Sequence, residues 1–397
     1  MVSRKRLAYG LTANVVVLGF VSLFTDVSSE MILPILPFFL TQVLFANAFI
    51  VGFVEGLAES VGTFMKIFSG RFSDAAGKRK RFVAAGYGLS TAMKVLFPFA
   101  RSWPEFLGMR LLERTGKGVR DAPRDALLTE STPPETRGKA FGFHRSMDTA
   151  GAIAGPIITL VLLATLMASW SMEDAYRRIL LLAAIPALVS VLVILFVREP
   201  PRTPTRSQPL RVAFRGIPKP LLVFLGIASL FSFADFSYVF LLLRAGILYG
   251  TTQAILLYVL YNVVYAAHAF PAGILSDRVG RKPVVLTGYV AFIVMSTLLV
   301  ASGDLLVLVA SFILYGLSYG MAEGTQRALV ADFAPAEIKA TVLGAYHTSI
   351  GIVRLASGLV AGFLWVTFMP QATFAFGAIA ATGATIGLFF WTPPAKS

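Results

Sequence analysis

Gly70-Arg71-Phe72-Ser73-Asp74-Ala75-Ala76-Gly77-Lys78-Arg79-Lys80 and Gly273-Ile274-Leu275-Ser276-Asp277-Arg278-Val279-Gly280-Arg281-Lys282 are two copies of one short loop. They share the spacing Gly-x-x-x-Asp-x-x-Gly-basic-basic and stand half a chain apart. Each follows a long apolar stretch and precedes another. A polar, basic turn repeated between apolar stretches points to an internally duplicated membrane protein.

The composition agrees. Of 397 residues, 56% are hydrophobic and only 14% charged, and mean hydropathy is +0.74. A soluble domain carries about 25% charged residues, so this chain has too few polar groups to cover a water-facing surface. The net charge of +14 would suit nucleic acid, but the placement of the charges excludes that partner. The Lys and Arg residues gather at one set of alternate loops and at the termini, whereas only Arg101, Arg177, Arg178 and Arg244 fall at the other set. That asymmetry predicts cytoplasmic termini and cytoplasmic motif loops. There is no cysteine, which excludes disulfides, thiol catalysis and Cys-ligated metals. The three histidines are scattered and make a poor metal site. The basic N-terminus (Ser3 to Arg6) leads into an apolar run without a small-residue cleavage site, and reads as the start of a retained first helix.

Stretches of about 20 apolar residues can span a bilayer, and helices keep their backbone groups paired there. Twelve spans are expected, near residues 10–40, 47–70, 81–101, 104–128, 139–167, 176–197, 219–243, 252–275, 283–302, 305–327, 338–367 and 371–391. The stretch 199–218 holds Pro200, Pro201, Pro204, Pro209 and Pro218 among arginines, and reads as a cytoplasmic linker. The expected organisation is an N-terminal six-helix bundle (1–198), this linker, and a C-terminal six-helix bundle (219–397). The repeat extends beyond the loops. Gly118 to Gly142 aligns with Gly320 to Gly344 without a gap, matching Asp121 with Glu323, Glu130 with Asp332, Pro133 with Pro335, Glu135 with Glu337 and Arg137 with Lys339.

The duplicated loop resembles the one between the second and third helices, and again between the eighth and ninth, of the major facilitator superfamily of secondary transporters. The resemblance covers essentially the whole chain and is nearest to bacterial-type proton-linked efflux members. It implies an all-α membrane protein of two pseudo-symmetric bundles. It also implies that the loop residues Gly70, Asp74, Gly77, Lys78, Arg79, Gly273, Asp277, Arg278, Gly280 and Arg281 control conformation through charge contacts. Ala75 departs from the pattern, since an arginine is usual there and the second copy keeps Arg278; Arg71 is a candidate substitute. Arg110 matches the fourth-helix arginine linked to proton coupling, although Glu113 replaces a usual glutamine and Arg114 a usual glycine. Gly142 to Pro156 resembles the fifth-helix motif of antiporters. By that resemblance Gly151, Gly155 and Pro156 form a bend favouring exchange; the residues alone read equally well as close small-residue packing.

Ionisable groups inside spans are costly and usually functional. Asp26 and Glu30 lie four apart in the first span, as do Glu55 and Glu59 in the second, so each pair shares a helix face. With Arg110 they are the proton-coupling candidates. The depth of Asp26 and Glu30 is compatible with Arg110 or Arg114 as partners. Arg114, Lys117, Asp235, Asn262 and Arg354 are the substrate-binding candidates, with Asp235 or Glu323 as the expected partner of Arg354. A meeting of Asp26 with His268 at a central ion site is a lesser alternative.

No Gly-x-x-x-x-Gly-Lys-Ser/Thr loop occurs, so energy is expected from an ion gradient rather than from ATP. No cofactor, metal or enzymatic chemistry is expected. The expected function is alternating-access, proton-coupled antiport (efflux) of a small polar or anionic solute by a monomer in the cell (inner or plasma) membrane, in contact with lipid. The alternatives are multidrug or lipophilic efflux, lipid or amphiphile translocation, and a receptor that does not transport.

Overall fold

A computed structural model describes residues 11–199, 217–335 and 339–393. The expected linker thus lies almost entirely outside the described residues, as do the basic N-terminus and Glu337. The long elements are all helices: α1 (Ala13–Ile32), α2 (Ala48–Ala76), α3 (Arg79–Leu96), α4 (Trp103–Glu130), α5 (Arg137–Leu166), α6 (Met172–Ile194), α7 (Lys219–Ala234), α8 (Tyr238–Tyr249), α9 (Thr251–Val279), α10 (Arg281–Ala301), α11 (Leu305–Phe333), α12 (Lys339–Thr367) and α13 (Pro370–Phe390). Among the described residues, eleven helical segments are long and apolar enough to cross a membrane. The α4 helix forms where a span is expected, but it carries Arg110, Glu113, Arg114, Lys117, Arg120, Asp121, Arg124 and Asp125 and falls outside that group.

Local sequence explains most of the boundaries. Gly77, Gly250 and Gly280 have φ of 62°, 89° and 94°, a region that costs a side-chain-bearing residue about 1–2 kcal/mol. The α6 helix starts where the Ser171 hydroxyl accepts from the Asp174 amide at 3.1 Å. Two expected spans are not single helices. The first stops at Ile32, because Pro34 lacks a donor and crowds the preceding turn; it resumes as a single turn, Leu36–Phe38, and a π-helix, Phe39–Val43. The seventh breaks at 235–237, where no glycine or proline stands; Ser237 takes φ 70°.

The chain forms two compact units, one of Met1–Phe45 with Val61–Ser207, the other of Ala46–Ser60 with Gln208–Ser397. In the first, α1 packs on α5 and α6, and α3 packs on α4 and α6. A core of Val15, Leu18, Val21, Val83, Tyr87, Leu127, Leu128, Ala140, Ile194 and Val197 gathers near the motif loop. In the second, α11 packs on α9 and α10, and α13 packs on α7 and α10. Small residues set the spacing in both, as expected where lipid removes the hydrophobic drive between helices. Gly86 faces the Gly116 carbonyl, and Gly288 faces the Ser318 carbonyl. Gly118 rests on the Gly62 carbonyl of α2, while its repeat partner Gly320 rests on Ala269 and Tyr265 of α9. The alignment seen in the sequence is thus repeated in packing.

Candidate functional site

Both motif loops build the same charge relay inside their own unit. Arg79, the first residue of α3, reaches Asp74 at 2.8 Å and Glu130 at the end of α4 at 3.0 Å. Arg281, the first residue of α10, reaches Asp277 at 2.6 Å and Asp332 near the end of α11 at 3.1 Å. Glu130 and Asp332 are the acids that the sequence alignment paired. A lysine follows each arginine and caps the last helix of its unit: Lys80 Nζ donates to the Leu195 carbonyl at 2.8 Å, and Lys282 Nζ to those of Phe389 and Trp391 at 2.8 and 2.7 Å. Matching the loops on their second glycine misaligns these residues by one, because Lys78 stays outside the helix (φ −129°, ψ 65°) whereas Gly280 leads straight into Arg281. The acid in each loop therefore pairs with the arginine opening the next helix. Arg278 is exposed. Gly70 packs 3.4 Å from the Ala122 methyl, while Gly273 has open space around it.

In the first unit the charged stripe of α4 turns inward. Glu113 is its centre: it accepts from Arg110 Nη1 at 3.0 Å and has Arg114 Nε at 3.7 Å. All three are nearly inaccessible, as is Lys94 at 1% exposure. Lys94 Nζ donates to Ser28 and Ser29 of α1 at 3.0 and 2.8 Å and has no carboxylate within 4.0 Å among the described residues. Arg120 lies 4.3 Å over the Tyr87 ring and donates to Ser90 at 3.1 Å. Lys117 is half-buried on the same stripe.

The α1 backbone at Asp26 and Glu30 packs closely against α5. A Cβ on Gly151 would lie 2.8 Å from that of Asp26, and one on Gly155 2.6 Å from that of Glu30. The Thr159 hydroxyl continues the seam to the Met31 carbonyl at 2.8 Å, and Ser22 donates to Asp148. The α5 helix runs unbroken through Pro156, so Gly151 and Gly155 act here as a groove that takes the α1 backbone. Asp26 itself makes no ion pair within 4.0 Å among the described residues, and Lys117, Arg120, Arg124 and Asp148 are its electrostatic neighbours. Glu113, one turn from Arg110 on α4, pairs with it, where the sequence alone shows only a departure from a motif.

In the second unit, Arg354 pairs with Glu59 at 3.5 Å, not with Asp235 or Glu323. This portion of α2 packs tightly on α12: Gly52 meets the Gly358 backbone, and the Ser60 hydroxyl donates to the Gly351 carbonyl at 2.5 Å. Glu55 is buried. Glu323 accepts from Tyr265 at 3.0 Å and from Arg327 at 2.8 Å. Asp235, at the break between α7 and α8, accepts from Tyr315 at 3.1 Å and Tyr319 at 2.5 Å. Neither tyrosine is evident from composition, though their i, i+4 spacing puts both on one face of α11. Asn262 is buried, and its amide donates to the Tyr258 carbonyl one turn back at 3.2 Å. His268 is exposed and lies in the other unit from Asp26.

The sequence profile of the Major Facilitator Superfamily matches residues 18–252 and 222–397, nearly the whole chain. The chain belongs to that superfamily. It is 38% identical over 390 residues to an uncharacterized MFS-type transporter of Methanocaldococcus jannaschii, covering 96% of this chain and 95% of that one. A shorter match, 30% identical over 143 residues, is to the multidrug resistance protein MdtH of Photorhabdus laumondii, covering 36% and 33%. Among solved structures, the nucleoside transporter NupG superposes with a TM-score of 0.81 at 14% identity, over 95% of this chain and 99% of that one. This member of the superfamily is therefore a multi-pass membrane protein and a secondary transporter of the facilitator fold.

Proposed function

We propose that the protein works by alternating access as a proton-coupled antiporter that expels a small polar or anionic solute. The observation that carries this reading is the juxtaposition in the first unit of a carboxylate without an ion pair, Asp26, and a buried lysine without a carboxylate, Lys94. An intramembrane acid free of a fixed partner can take and release a proton as its surroundings change, and buried cations suit an anionic group. Glu30, Glu55 and Glu59 are the further acids in this reading. The α4 helix is then a twelfth span, its charge facing the protein interior. Excess Lys and Arg at one set of loops supports cytoplasmic termini; the reading further takes two six-helix bundles (1–198 and 219–397) and a monomer in the cell membrane. The short match to a multidrug resistance protein keeps lipophilic efflux as the second reading.

The test is reconstitution into liposomes with a trapped pH dye and an imposed pH gradient, with pools of organic anions and lipophilic cations added separately. Proton flux on adding one pool, abolished by Asp26→Asn with protein yield and orientation unchanged, is the expected result. Flux that persists in Asp26→Asn, Glu30→Gln and Glu59→Gln alike would remove proton coupling by these residues.

A further inference from the structure

The break between α7 and α8 surrounds a carboxylate that is one charge short. Asp235 is 9% exposed. Its Oδ1 accepts from the Tyr315 hydroxyl at 3.1 Å and from the Ser237 amide at 3.3 Å, and its Oδ2 accepts from the Tyr319 hydroxyl at 2.5 Å. The Ser357 hydroxyl of α12 donates to its backbone carbonyl at 3.0 Å. These are hydrogen bonds from neutral groups. No cation lies within 4.0 Å of the carboxylate among the described residues. Arg354, an electrostatic neighbour, is engaged with Glu59 at 3.5 Å, and Arg327 with Glu323 at 2.8 Å.

A buried carboxylate without a counter-charge is costly, by several kcal/mol per ion in a low-dielectric interior. Hydrogen bonds satisfy its lone pairs without neutralising it. A carboxylate offers about four acceptor positions, of which Tyr315, Ser237 and Tyr319 fill three, so one remains for a donor carrying positive charge. The carbonyl end of α7 and the amide end of α8 meet at this break, so their end charges oppose each other there. Helices broken within the membrane are a recurrent site of substrate or ion recognition in secondary transporters.

The lining decides the kind of cation. The rings of Tyr315 and Tyr319 lie 4.9 Å apart at a tilt of 56°, Tyr261 lies 5.1 Å from Tyr315 and edge-on to Tyr319 at 6.2 Å, and Tyr258 continues the cluster at 5.6 Å from Tyr261. Phenolic rings favour a weakly hydrated organic ammonium. A strongly hydrated alkali ion would need a cage of hard oxygens instead.

We propose that Asp235, flanked by Tyr315 and Tyr319 with Tyr261 beside them, recognises the ammonium group of an amine-bearing solute. The proposal rests on reading the chain as a solute transporter; of the two solute classes proposed above it takes the polar one, here with a positively charged nitrogen, and not the anionic one.

The experiment is equilibrium binding to the purified full chain, by calorimetry, at constant ionic strength and without any ion gradient. The probes are benzylammonium, benzyltrimethylammonium, benzyl alcohol and benzoate. Both cations should bind at least ten-fold more tightly than the alcohol or benzoate. Asp235→Asn should weaken the cations at least ten-fold and leave the alcohol unchanged. Tyr319→Phe, which keeps the charge, should weaken them several-fold and serves if Asp235→Asn does not fold. Equal binding of cation and alcohol would overturn the proposal, as would cation binding that survives Asp235→Asn. Competition by sodium at the same concentration as the amine would overturn it in favour of an alkali-ion site. Since no gradient is present, intact amine binding with no proton flux in liposomes would count against the transport reading alone.

Discussion

Alanine scanning of the α5 glycines should give opposite signs within one helix. At Gly142 no atom lies within 4 Å of where a β-carbon would stand, so Gly142→Ala gains helix propensity, about 0.5–1 kcal/mol, and loses nothing. At Gly155 the same methyl group would stand 2.6 Å from the Glu30 Cβ, 2.8 Å from the Val27 carbonyl and 2.9 Å from the Glu30 carbonyl carbon. Two of those atoms are backbone, so α1 itself must retreat by about 1 Å to restore ordinary contact near 3.5–4.0 Å. Overpacking of this kind costs roughly 1–3 kcal/mol, which outweighs the propensity gain. The propensity gain is common to both, so the two variants should differ by about 1–3 kcal/mol. At roughly 2–4 °C per kcal/mol for a cooperative unit of about 200 residues, that is a gap of several degrees in the thermal midpoint of the purified protein, with Gly142→Ala at or above the parent and Gly155→Ala below it. Because α1 carries Asp26 and Glu30, Gly155→Ala should also reduce transport beyond its effect on yield. Equal midpoints for the two variants, or a Gly142→Ala that is the less stable, would refute the claim that Gly155 is a contact glycine and Gly142 a free one.

Arg79→Ala should lower stability by about 1–2 kcal/mol, because a guanidinium only 9% exposed leaves two acids behind; Arg281→Ala, whose side chain is 24% exposed with partners at 63% and 40%, should cost less than about 1 kcal/mol. Denaturation midpoints of the two variants side by side check the order. Lys94→Met should keep or slightly raise stability, since an apolar chain of similar length replaces a buried charge without a carboxylate, while exchange of an anionic solute falls at least ten-fold; liposome flux that matches the parent would mean that Lys94 only packs α3 against α1.

The class of fold and its duplication were legible in the amino-acid sequence alone. Apolar length, the one-sided placement of Lys and Arg, and turn glycines are local properties, and a bilayer leaves helices as the natural answer to them. The alignment of Glu130 with Asp332 was legible because both halves keep the same spacing, and the structure uses both acids in the same relay. Tertiary structure decided which charges meet. Asp74 and Asp277 pair with arginines that open the next helix, and one extra loop residue at Lys78 shifts that match in a way no gapless alignment shows. Arg354 finds Glu59, which lies nearly three hundred positions away in the sequence. The break after Ala234 has no proline or glycine to announce it; it exists because the Asp235 carboxylate binds the Ser237 amide and two tyrosines of α11, while Ser357 of α12 holds its carbonyl. Periodicity tells which residues share a face, but the partner opposite that face is set by helix packing, and the sequence of one helix does not contain it.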